Sequence, residues 1–95
     1  MPTRIKWLKT APRNLEYEIN YIAADDPAAA RLVSRRIKDA VALLSKHPSI
    51  GRPGRIGGTR ELIVPDTRYL IPYRERQGAI EILRVFHAGR RPPKG

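Results

Sequence analysis

Cysteine is absent from this 95-residue chain. That excludes a disulfide scaffold, thiolate metal sites and a cysteine nucleophile. No stretch approaches the roughly 18 apolar residues of a membrane span, and the N-terminal residues contain no apolar core of signal-peptide length. Aromatic residues are few, at 6%. Acidic residues are also scarce, with nine Asp and Glu against nineteen Lys and Arg. The expectation is a cytoplasmic protein with no membrane partner and no cofactor.

What is present is globular in balance: 41% hydrophobic and 29% charged residues. The length fits one small domain over 1–95, burying about two-thirds of its unfolded surface. The net charge of +10 is uneven in kind. Residues 1–50 carry five Arg, four Lys and five acids, whereas residues 51–95 carry nine Arg, one Lys and four acids. Arginine makes forked contacts to phosphate and carboxylate, so the surface calls for an anionic partner.

Apolar spacing gives the elements. Ile5 and Trp7 alternate with Arg4, Lys6 and Leu8, as in a short strand. Thr10 is a candidate N-cap, and Leu15, Ile19 and Ile22 form one stripe of a helix over about 11–24. Asp26 can cap a second helix with Pro27 at its first position. That helix runs to about Lys46, with Val33, Ile37, Val41 and Leu44 as its apolar stripe and His47 near its C-terminal dipole. A basic, mobile loop over 47–58 follows. Strands are expected over 60–64, 69–74 and 79–87, with Pro72 marking a bulge or a locally unpaired position. Together these predict an α+β fold in the order β-α-α-β-β-β. An antiparallel helical hairpin would pack on one face of a mainly antiparallel four-stranded sheet.

Most reaction signatures are missing. There is no Walker loop, no dinucleotide fingerprint and no Ser-His-Asp signature. Gly51, Gly54, Gly57 and Gly58 precede no predicted helix, unlike a phosphate loop. Neither histidine has neighbours suited to a metal, so no metal site is expected.

Arg84 interrupts the apolar run from Ile80 to Phe86, where a charge is costly unless it meets water or a partner. Strand parity puts Ile80, Ile82, Arg84 and Phe86 on one face, and Leu83, Val85 and His87 on the other. With suitable registers Arg60, Arg74 and Arg84 would converge on the free sheet face. Two uses compete for them: internal salt bridges to Glu61, Glu75 or Glu81, or binding and catalysis. His87, close to Arg90 and Arg91, is either a general base with an easily lost proton or an ordinary strand-end residue. Tyr69 and Tyr73 share a strand face, as core or rim residues or as stacking platforms.

The chain resembles toxins of the RelE/ParE superfamily, the toxic half of bacterial type II toxin–antitoxin pairs. The resemblance rests on the order and spacing of several segments. These are Tyr21-Ile22-Ala23 to Asp26-Pro27-Ala28-Ala29-Ala30, Leu43-Leu44 with His47-Pro48, and Gly51-Arg52-Pro53-Gly54-Arg55. Gly58-Thr59-Arg60-Glu61-Leu62, Tyr69-Leu70-Ile71-Pro72-Tyr73-Arg74 and Ile80 to His87 complete the set.

The resemblance implies a cognate antitoxin whose acidic segment wraps the toxin and folds on binding. For RelE-like members it implies mRNA cleavage on the ribosome. Arg60, Arg84 and His87 would then be catalytic, and Arg52, Arg55, Arg74, Arg90 and Arg91 would bind RNA. For ParE-like members it implies inhibition of DNA gyrase without catalysis. The sequence has no tyrosine after residue 73, a departure from the nuclease pattern. Ribosome-dependent cleavage is the leading expectation and gyrase inhibition the alternative. A non-toxic basic RNA-binding module is a third reading, for which no RRM signature is present.

Overall fold

Asp26 begins the second helix as its sequence position suggests. Its backbone is extended, and its carboxylate accepts a hydrogen bond from the Ala29 amide at 3.1 Å. In the computed structural model, which describes residues 3–89, α1 covers Thr10–Ala23 and α2 covers Pro27–Leu43. Thr10 is the first residue of α1 rather than its cap. Lys9 precedes it without a side-chain cap, and the Ala11 amide bonds the Leu8 carbonyl at 2.9 Å. After Leu43 the chain tightens into turns, with the His47 amide donating to the Leu43 carbonyl at 2.9 Å.

The sheet contains β1 (Arg4–Trp7), β2 (Arg52–Pro53), β3 (Arg60–Ile63), β4 (Tyr69–Arg76), β5 (Ala79–Ile82) and β6 (Phe86–His87). Its order is β1-β5-β4-β3-β2, with β6 also on β4. Among the described residues only the β1–β5 pairing is parallel. The helical hairpin covers one face, so the α+β layering matches the expectation. Two points differ. Part of the expected loop is the edge strand β2, where Pro53 is tolerated because an edge has one unpaired side. The expected last strand is two pieces, β5 and β6.

The core joins Ala11, Ile37, Ala40, Val41 and Leu44 from the helical layer to Leu62, Val64, Tyr69, Ile71, Tyr73, Ile80, Ile82 and Val85 from the sheet side. In α1 the buried line is rotated from the expected one. Ala11 and Glu18 are buried, Leu15 and Ile22 pack beside them, and Ile19 turns toward the groove between the helices.

The break between β5 and β6 explains the arginine in the apolar run. Ile80, Ile82 and Val85 are all buried, so the two-residue period slips by one between Ile82 and Val85. Leu83 and Arg84 occupy the extra space, and Arg84 is exposed. The slip overturns the expected faces: Ile80, Ile82 and Val85 point into the core, and His87 pairs with core-facing Tyr69. The break lies opposite Ile71 and Pro72, because β5 pairs with Tyr73–Arg76 and β6 with Tyr69 and Leu70. Pro72 keeps Glu61 as its register partner on β3, and its missing amide falls on the other side, where the break leaves no ladder partner to receive it. Its carbonyl accepts from the Leu83 amide at 2.9 Å.

Candidate functional site

Among the described residues, chemically capable side chains gather in three places. The first is the end of the sheet beneath the 47–58 segment. Tyr73 is 1% exposed, and its hydroxyl donates to the Pro48 carbonyl at 2.6 Å while accepting from the Gly51 amide at 2.9 Å. Burial raises its pKa, against smaller lowering contributions from the Gly51 hydrogen bond and Arg60. Arg60 pairs with Tyr73 across the β3–β4 ladder. Its guanidinium donates to the carbonyls of Gly51 at 2.9 Å and Ser49 at 3.3 Å. Glu61, buried on the opposite face, accepts from Arg52 Nε at 3.1 Å, and Arg55 lies 4.0 Å from its other oxygen. The segment expected to be mobile is thus tied to the sheet at several points.

The second place is the far end of β4. His87 meets the Tyr69 ring edge-on, with ring centres 5.2 Å apart. Its Nδ1 accepts from the Gly89 amide at 3.0 Å. Burial, and then the charge of Arg68, push its pKa below the ordinary value. The Tyr69 hydroxyl donates to the buried carboxylate of Glu18 at 3.0 Å. A cavity of about 370 Å³ opens here, lined by Tyr21, Ile22, Val33, Arg68, Tyr69 and His87 among others.

The third place is the sheet face away from the helices. Arg74 and Glu81 are cross-strand partners joined at 2.7 Å. Glu81 titrates below its ordinary range, chiefly through the hydrogen bond from Arg74.

This arrangement corrects the expected convergence of Arg60, Arg74 and Arg84. Arg60 shares the helix-side face with Tyr73 and is bound to loop carbonyls, whereas Arg74 lies on the opposite face in an ion pair. Arg84 is held outward by the slip. His87 and Arg60 pair with β4 residues four positions apart, roughly 13 Å along the strand. They also flank opposite sides of β4. Of the expected salt bridges, Arg74 to Glu81 forms, while Glu61 takes Arg52 and Arg55 rather than Arg60. Arg90 and Arg91 lie outside the described residues.

Sequence reasoning missed Glu18 and Arg68. Glu18 was legible as a carboxylate three residues after Leu15 and four before Ile22, on the buried line of α1. Nothing in the local pattern marks Arg68.

Solved structures share this architecture. The chromosomal ParDE toxin–antitoxin system from P. aeruginosa aligns with a TM-score of 0.82 over 90% of this chain and 95% of that chain, at 24% identity. The RelBE2 toxin–antitoxin complex from Mycobacterium tuberculosis aligns at 0.62 over 92% and 99%, at 27% identity. Among sequences, Y4kP of Sinorhizobium fredii is 47% identical over 91 residues, covering 96% of this chain and 94% of its own. Toxin RelE2 of Caulobacter vibrioides is 32% identical over 87 residues, covering 92% and 97%.

These likenesses define the class, the RelE/ParE superfamily of toxins. A family model described as the ParE toxin of the type II toxin–antitoxin system parDE matches residues 5–92, and the chain belongs to that family.

Proposed function

We propose that the protein arrests growth by binding and inhibiting DNA gyrase, without cutting RNA, until a cognate antitoxin neutralises it. The observation that carries this reading is the separation of the basic residues a nuclease would need together. Arg60 is committed to the Ser49 and Gly51 carbonyls, and His87 lies at the other end of β4. A phosphate-stabilising group and a proton-transfer group work on one bond only when both reach it. The match to the ParE family model supports the same reading. An antitoxin partner is supported by the structural relatives, which are toxin–antitoxin systems. The charge of +10 suits an acidic segment of that partner.

The test uses purified full-length protein in two assays, DNA supercoiling by gyrase and mRNA cleavage on programmed ribosomes. Inhibited supercoiling with intact mRNA is the expected result. Cleaved mRNA with unaffected supercoiling overturns the reading.

A second reading, ribosome-dependent cleavage, is favoured by the exposure of Arg84 and by the depressed pKa of His87, which keeps a base unprotonated at neutral pH. Under it, Arg84→Ala would lower cleavage by about 10²–10³ and His87→Ala by about 10²–10⁴.

A further inference from the structure

The uncovered sheet face carries a cationic array that the functional reading does not use. Two rows cross the adjacent strands β1, β5 and β4 in register. One row is Lys6, Glu81 and Arg74, and the next is Arg4, Ala79 and Arg76. Cross-strand partners share a sheet face, so all four cations stand on the face bearing the Arg74–Glu81 ion pair. Strand geometry spaces them at roughly 7 Å along a strand and roughly 10 Å across two strand intervals. Arg4, Lys6 and Arg76 are exposed. Among the described residues, four positive charges on these two rows against the single carboxylate of Glu81 leave three unmatched. The field is visible on Glu81 itself, whose pKa is lowered by Arg74 first and also by Arg76 and Lys6.

We infer that Arg4, Lys6, Arg74 and Arg76 form a docking surface for the phosphate backbone of duplex DNA. Charge complementarity favours a polyanion, because these cations gain by releasing condensed counterions from one. The residues standing between them are Ala79 and Glu81, which offer no ring on which a base can stack. Single-strand binding draws much of its energy from such stacking. The ring on this face, Phe86, pairs with Leu70, four residues along β4 from Arg74, so affinity at the array itself comes chiefly from phosphates, and a DNA duplex presents about one negative charge per 1.7 Å of axis. The choice of DNA over duplex RNA rests on the gyrase reading, since gyrase acts on duplex DNA. A toxin seated on that enzyme would gain contacts to the DNA beside it.

The experiment measures binding of the full chain to a short mixed-sequence DNA duplex by fluorescence anisotropy across a salt series. Duplex RNA and single-stranded RNA serve as competitors. The triple variant Arg4→Gln, Lys6→Gln, Arg76→Gln leaves the Arg74–Glu81 pair in place. It should weaken binding at least about ten-fold and reduce the magnitude of the salt slope by roughly 2–3, since each phosphate that is no longer neutralised removes about 0.9. A charge-matched control on α2, Arg31→Gln, Arg35→Gln, Lys38→Gln, should change affinity less than about two-fold. Circular dichroism confirms that both variants fold.

Equal losses in the two variants would show only general attraction from net charge and would overturn the inference. Stronger competition by either RNA than by unlabelled DNA overturns the assignment to DNA. Absence of duplex binding by the wild type overturns the inference whatever the protein does to gyrase. Supercoiling is scored separately, so failure of the gyrase reading is seen independently of this result.

Discussion

The Tyr73 hydroxyl accepts the Gly51 amide at 2.9 Å, binding the middle of β4 to the loop that follows α2. The same hydroxyl donates to the Pro48 carbonyl, so one side-chain oxygen satisfies two backbone groups. Tyr73→Phe keeps the ring in the core and removes both bonds. Leaving buried polar groups without partners costs about 1–3 kcal/mol. Urea unfolding should report a loss in that range with an unchanged slope, and amide exchange at Gly51 should accelerate. A variant as stable as the wild type would show that the hydroxyl does not hold the loop.

Gly51 itself is required by the closeness of that approach. A Cβ there would lie 2.6 Å from Tyr73 Cε1 and 3.0 Å from the Glu61 carbonyl oxygen. The ring is locked in the core and the carbonyl belongs to the sheet, so neither yields readily. Gly51→Ala should destabilise by about 1–3 kcal/mol. Gly57→Ala, with nothing within 4 Å of the added carbon, should be far milder. Thermal melts of the pair decide the matter, and equal midpoints would refute the steric account.

Asp26 caps α2 through the Ala29 amide. Replacing it with alanine removes that acceptor and should cost about 1 kcal/mol, whereas Asp26→Ser should retain most of the stability. Equal stability of the alanine and serine variants in chemical denaturation would contradict the capping role.

His87 makes stability depend on pH in a defined direction. Its folded-state pKa lies below the ordinary 6.5, through burial first and Arg68 second. Just below pH 6.5 the unfolded chain therefore binds more protons than the folded chain, and stability rises with pH there. The contribution is fully present above 6.5 and is lost as pH falls toward the folded-state value. Protonation also removes Nδ1 as the acceptor for the Gly89 amide. Urea unfolding free energies from about pH 5 to about pH 7.5 should slope more steeply for the wild type than for His87→Gln. Parallel curves would rule out His87 as the source.

The helical hairpin and the order of the longer strands were legible because each follows from local spacing and punctuation. Asp26-Pro27 starts α2, the stripe Ile37, Val41 and Leu44 buries its inner face, and Pro65-Asp66 closes β3. Pro72 signalled an interruption that exists only on its β5 and β6 side, since on the other side it stays paired with Glu61 of β3; the break between β5 and β6 itself was invisible. A period-two pattern read along 79–87 cannot show a slip, because Leu83 and Val85 are both apolar and either parity buries aliphatic side chains. The tertiary core selected Val85, and that choice sent Arg84 outward and turned His87 toward Tyr69.

By itself the sequence determined the elements and the excess of positive charge, since periodicity, capping and composition are local properties of the chain. Only the tertiary structure decided which cations share a face. Arg60 and Arg74 both lie on strands, and their separation depends on register: Arg60 faces Tyr73 across β3–β4, while Arg74 faces Glu81 across β4–β5. Adjacent positions along β4 point to opposite sides of the sheet, so a single step of register places one arginine against the loop carbonyls and the other on the open face.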